Sequence, residues 1–395
     1  MDNYKHMKEL AKAHLTEVII PFWNKLRDEE NGGFYGYLDF DLQLDKKAVK
    51  GCILNSRILW FYSNAYLILG EEDLLSYAKH AYEFLKTHCY DQTYGGIYWS
   101  LNYDGSTYDT TKHTYNQAFA VYALSSYYFA TKDEEVINLA KSIIEIIEKK
   151  CTDTYGYLEA FDRGFLPIDN EKLSENGVIA HKTMNTLLHI FEAYTEYYRV
   201  TGDVEIKKRL MWILDIIRTK VYNPNLHRQE VFFDEYMNSI LDLHSYGHDI
   251  EAAWLIVRGL NVLEEPKYDS LLNPITKDLT NQVYQIAYQD HSLLNECEKG
   301  KVNTSRIWWV QAEAVVGFLN GYENDRNETR YFEAAKDIFQ FILENVHDKR
   351  TGSEWFWEVD KDGNPYSKKP IVEPWKCPYH NGRMCFEILR RDCVG

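Results

Sequence analysis

No stretch of 18 uninterrupted apolar residues occurs in this chain. Even the apolar segment from Cys52 to Leu69 is broken by Asn55, Arg57 and Asn64, which argues against a membrane span. Runs of lysine or arginine are also missing, and 60 acidic against 44 basic residues leave a formal net charge of −16, so nucleic acid is not an expected partner. Seven cysteines are scattered from Cys52 to Cys393 without a CxxC pair, which suits a reducing compartment and not a disulfide framework. Neither GxGxxG nor GxxxxGK[ST] is present, and NGGFYG lacks the strand and glycine spacing of a nucleotide site. HExxH and an EF-hand loop are absent too, and the first residues carry no apolar signal core. The expectation is a soluble cytoplasmic protein without a cofactor or metal, a monomer or weak homo-oligomer.

What the sequence does contain is a repeat. Six glycine-rich or aromatic segments begin at Asn31, Thr93, Thr154, Leu226, Asp290 and Ser353, 61 to 72 residues apart. Their glycines and alternating aromatics suit tight turns and short strands. A charged amphipathic helix precedes each segment, as over Glu72–His88, Asp133–Lys149, Asp203–Lys220 and Arg330–Val346. A less charged, more apolar helix follows, as over His113–Phe129, Gly177–Arg199 and Ser245–Leu260. The first set fits an outer ring with one wet face, the second an inner ring. Both chain ends are as aromatic as the middle, so the stack is expected to close on itself without polar caps. The spacing therefore predicts an all-α (α/α)6 barrel, a toroid of six inner and six outer helices, as a single domain over residues 1–395. Short hairpin-like segments would surround the mouth of a central pocket.

The polar residues best placed for chemistry fall on the second helices: Arg57, Tyr115, Asn185 with His189, His248 with Glu251, Trp309 with Glu313, and His380. Spacings of three or four put each pair on one helix face. His6, His14, His80, His88 and His347 lie on outer helices or the N-terminal segment and read as packing or surface residues. His244 and His248, four apart, are the one metal-like spacing. Flat rings such as Trp309 and Trp375 can stack on a pyranose, while Trp60 and Trp99 read as barrel packing. A glycoside hydrolase would need a carboxylate pair such as Glu251 and Glu313, leaving the histidines without work. Two histidines suit removal and return of a proton at carbon.

At six places in order, KGCILNSRILWF (from Lys50), TKHTYNQAFAVYAL (from Thr111), SENGVIAHKTMNTLLHIFEAY (from Ser174), SYGHDIEAAWL (from Ser245), IWWVQAEAVVGF (from Ile307) and EPWKCPYHNGRMCFE (from Glu373), the chain resembles the acylglucosamine 2-epimerase superfamily. Within it, the likeness is to the branch acting on β-1,4-linked disaccharides. The resemblance implies paired catalytic histidines at His248 and His380, an assisting His189, and Arg57 beside the reacting oxygens. It implies substrate contacts from Tyr115 and Asn185, a carboxylate supporting His248 at Glu251, and stacking by Trp309 and Trp375; Glu313 joins the substrate-binding set. The implied reaction is epimerisation at C2 of the reducing-end glucose through an enediolate, without metal or nicotinamide, in some members with aldose–ketose isomerisation. Relatives acting on N-acetylglucosamine or mannose are the substrate-level alternative, with a hydrolase or a non-catalytic carbohydrate-binding protein further off.

Overall fold

The structure, a computed structural model, describes residues 2–173 and 177–392. Ser174 to Asn176, the start of one family-like motif, and Cys393 lie outside the described residues. Among the described residues, twelve helical elements follow in strict alternation. The odd members are α1 (Asp2–His14, continued by Leu15–Ile19 and Ile20–Asn24), α3 (Glu72–Phe84), α5 (Glu134–Lys150), α7 (Val204–Ile216), α9 (Pro266–Ile286) and α11 (Thr329–Phe341). The even members are α2 (Cys52–Leu69), α4 (Thr114–Thr131), α6 (Met184–Thr201), α8 (Tyr246–Leu263), α10 (Trp308–Asn324) and α12 (His380–Arg390).

Sequence pattern sets the layer of each. On α5 the buried residues are Val136, Ile137, Ala140, Ile143, Ile144 and Ile147, a stripe on one face, so the other face meets water. On α2 every residue from Cys52 to Ala65 is buried, as expected of a helix enclosed on all sides. Each of α2, α4, α6 and α8 ends in a left-handed residue, Gly70, Lys132, Gly202 and Glu264, which turns the chain into the next outer helix. The even helices pack in sequence, and α12 returns to α2, closing the inner ring. Across the seam the Tyr4 hydroxyl donates to the Ile388 carbonyl at 2.8 Å, and Trp355 Nε1 donates to His14 Nε2 at 2.7 Å.

The six recurring segments form short antiparallel pairings between each outer helix and the following inner one, for example Arg27 with Phe34, Tyr90 with Ile97, Thr152 with Tyr157, and Tyr222–Asn223 with Arg228–Gln229. They therefore lie at the N-terminal ends of the inner helices. The expected helix over Gly177–Arg199 begins only at Met184. Lys182–Thr183 pairs with Phe232–Phe233 as strand, and the Thr183 hydroxyl caps α6 by accepting the Thr186 N–H at 3.0 Å. No helix among the described residues is long and apolar enough to cross a membrane.

Candidate active site

A cavity of about 380 Å³ opens at the N-terminal ends of the inner helices. Arg57, Tyr115, Asn185, His189, His248, Glu251, Trp309, Trp375 and His380 all line it, so all six inner helices and the chain before α12 bring the expected residues to one place. The rim is lopsided: the segments of the last three repeats supply Phe232, Asn295 and Trp357 to the wall.

Trp309 stands against both His248 and His380, with ring centroids 4.8 and 5.5 Å apart. Gly247 permits this approach, because a Cβ there would meet the Trp309 ring at 2.6 Å. His248 Nδ1 lies 2.7 Å from the Ser245 hydroxyl, and His380 Nδ1 lies 2.7 Å from Glu313 Oε1. Each ring thus has Nδ1 tied back into the protein and Nε2 left for the cavity. Burial, with His189 nearby, pushes His248 down to about 3, and burial, with Arg383 and Arg57 beyond, lowers His380 well below its ordinary value. Both resting rings are neutral and able to accept a proton.

Behind the histidines, Arg383 gathers three carboxylates. Its guanidinium pairs with Glu192 at 2.5 Å, with Glu313 at 2.7 Å and with Glu251. Sequence reasoning missed Arg383, although it lies one turn past His380 in the same motif. Glu313 is off the cavity wall, which corrects its expected role as a substrate contact: it accepts from His380, from Arg383 and from Trp254 Nε1 at 2.9 Å. Glu251 does line the cavity, but it holds Arg383 and not His248, so the expected support of that histidine comes from Ser245. Burial and the charge of Glu313 push Glu251 up to about 8, leaving it protonated with Oε2 unpartnered. For Glu192 burial acts upward, but Arg383 and His189 more than offset it and hold the carboxyl at about 2. Since Glu192 accepts from His189 Nδ1 at 2.9 Å, neutral His189 offers the cavity a lone pair on Nε2.

Arg57 is buried and carries no ion pair among the described residues. It donates to the Tyr115 hydroxyl at 2.8 Å and to the Trp375 carbonyl at 3.3 Å, and its Nε has no partner. A buried cation without a counter-charge is poised for an anion that forms in the cavity. Asn185 Oδ1 likewise has no hydrogen-bond partner among the described residues. The metal-like spacing of His244 and His248 does not form a site, because His244 Nε2 is bound to Asp249 at 2.8 Å. Glu251, Glu313 and His380 do converge within 4.8 Å, yet the Arg383 guanidinium already supplies the positive charge there.

Residues 33–381 match the family model described as N-acylglucosamine 2-epimerase (GlcNAc 2-epimerase). A cellobiose 2-epimerase of Eubacterium cellulosolvens is 54% identical over 398 residues, covering 97% of this chain and 98% of its own. Among solved structures, a sugar epimerase from a ruminal bacterium aligns with a TM-score of 0.96 at 51% identity, over 97% of this chain and 98% of that one. The cellobiose 2-epimerase of Bacillus thermoamylovorans B4167 aligns with a TM-score of 0.94 at 42% identity, over 98% of this chain and 100% of that one. On the match to its model and on these identities over nearly the full length, the chain belongs to the N-acylglucosamine 2-epimerase family.

Proposed function

We propose that this chain, acting as one catalytic domain over 1–395, is a cellobiose 2-epimerase. It inverts C2 of the reducing-end glucose of β-1,4-linked disaccharides, turning cellobiose into glucosyl-mannose and lactose into epilactose. The observation that carries this reading is the pair His248 and His380, both neutral, both against Trp309, each with Nδ1 anchored and Nε2 free. After ring opening, one Nε2 takes the C2 proton and the C–H electron pair enters an enediolate. The other Nε2 returns a proton to the opposite face. Arg57 stabilises the charge on the enediolate oxygens, and His189 accepts a sugar hydroxyl. Tyr115, Asn185 and protonated Glu251 hold further hydroxyls, while Trp309 and Trp375 offer apolar faces to the sugar rings. Return of the proton to C1 of the same enediolate yields the 2-ketose, which is how lactose gives lactulose. Ring nitrogens and one guanidinium suffice for this chemistry, so no cofactor is assigned.

The test is incubation of purified, chelator-treated protein in D₂O with cellobiose, lactose, N-acetylglucosamine and mannose separately, read by proton NMR. Cellobiose and lactose should give their C2 epimers with deuterium at C2. His248→Ala and His380→Ala should each lower turnover by at least about 10²-fold, the low end for a general acid or base. Turnover of N-acetylglucosamine or mannose with inert disaccharides would transfer the chain to another substrate, and two variants above a tenth of the parent rate would remove the histidines from the chemistry.

A further inference from the structure

Serine at the cap of a helix ordinarily turns its hydroxyl to accept a backbone N–H of the first turn. Ser245 holds that position on α8 and makes no such bond. The caps of α4 and α6 do make it: His113 accepts from the Tyr115 N–H and Thr183 from the Thr186 N–H. The Ser245 hydroxyl is instead hydrogen-bonded with Nδ1 of His248, 2.7 Å away. Its backbone is held by pairing with Glu296 in the short ladder beside the cavity, and its side chain is on the cavity wall. A capping bond has been exchanged for a bond to a side chain that faces substrate.

We propose that Ser245 is a positioning residue for the epimerisation, its hydroxyl holding hydrogen on Nδ1 of His248 so that the Nε2 lone pair meets C2 of the sugar. The inference rests on the two-histidine reading above. An unanchored neutral imidazole populates both tautomers, and with hydrogen on Nε2 it has no lone pair for a C–H bond. His380 is set differently, by the Glu313 carboxylate, which also stabilises its protonated form. The two halves of the reaction are therefore unequally supported, one by a charged acceptor and one by a neutral hydroxyl. Loss of the hydroxyl should injure only the half that uses His248. In that half Nε2 takes the C2 hydrogen as a proton, the C–H pair enters the enediolate, and the proton exchanges with solvent before return.

The experiment measures C2 hydrogen–deuterium exchange early in the reaction, separately on lactose and on epilactose, for the parent, Ser245→Ala and Ser245→Thr. Ser245→Ala should slow interconversion by about 10- to 100-fold, the range for partners that orient a functional histidine. Exchange should slow similarly for the epimer whose C2 hydrogen faces His248 and stay within about 2-fold for the other, and Ser245→Thr should recover most of the loss. Equal slowing of both exchanges, as a structural defect would give, or a threonine variant no better than alanine, overturns the proposal. A parent that exchanges while Ser245→Ala matches it removes Ser245 alone. A parent that exchanges deuterium into neither epimer ends the proton-transfer reading, and the role of Ser245 with it.

Discussion

A carboxylate that accepts hydrogen bonds from three donors leaves little room for a proton of its own, and Glu313 accepts from His380, Arg383 and Trp254. Burial pushes it upward, as it does Glu251, but Glu251 has a single donor and carries the proton of the pair. An ionised Glu313 fixes the tautomer of His380 and, in the two-histidine mechanism proposed above, would stabilise the imidazolium formed when His380 takes the C2 proton. Glu313→Gln preserves the volume and one acceptor oxygen but removes the charge. It should lower kcat by at least about 10²-fold while KM changes by less than about 3-fold, because Glu313 is off the cavity wall. Steady-state kinetics on cellobiose checks this. A loss confined to KM would return Glu313 to the substrate contacts.

At the scale of the elements, a basic residue precedes each of the first five inner helices by two positions: Lys50, Lys112, Lys182, His244 and Arg306. Each pairs with an aspartate, in order Asp28, Asp91, Asp153, Asp249 and Asp290. His244 is thus the fourth member of a structural series, which is why its spacing from His248 has nothing to do with a metal. Four of the pairs bind the strand that enters an inner helix to the turn that leaves an outer one, whereas His244 pairs with Asp249 of α8 itself. Lys50 donates to Asp28 at 2.6 Å and to the Gly32 carbonyl at 2.7 Å, and neither charged side chain is exposed. Lys50→Met should cost about 3–5 kcal/mol by leaving Asp28 charged and buried, and adding Asp28→Asn should recover part of it. Denaturant unfolding of both variants measures this, and equal stability of the single and double variants would mean that Asp28 finds another partner. The series was open to view in the sequence, since it has the period of the aromatic segments. It went unseen because lysines and aspartates read one at a time look like solvated charges. Periodicity made the rings and the inward residues legible, as the convergence of Arg57, Tyr115, His189, His248 and His380 shows. The diversion of Ser245 and the gathering of carboxylates on Arg383 each occur once in the chain and follow no period, so only the structure reveals them.

The whole molecule depends on one seam, where α1 meets the segment after α11. There His14 accepts the indole hydrogen of the buried Trp355 and stacks edge-on against His347 at 4.8 Å. Burial, then the charges of His347 and Lys349, push His14 down to about 3. The unfolded chain takes up this proton near pH 6.5 and the folded chain only near 3, so the contribution of His14 is whole above pH 6.5 and falls away as the pH drops toward 3. Glu159, pushed up to about 7 by burial, works in the opposite sense. The expectation therefore concerns a difference: His14→Gln keeps an acceptor for Trp355, and its Tm should fall less than that of the parent between pH 7 and pH 4.5. Parallel Tm curves would show that the seam does not titrate. Closure has a further electrical consequence. Tyr115, Asn185, His248, Trp309 and His380 are all within the first three residues of their helices, so the inner helices open onto the cavity with their N-termini. Each such end carries roughly half a positive charge from its aligned peptide dipoles. In a protein with a net charge of −16, these helix ends thereby bring positive partial charge to the cavity, where it can favour an anion made from a neutral sugar.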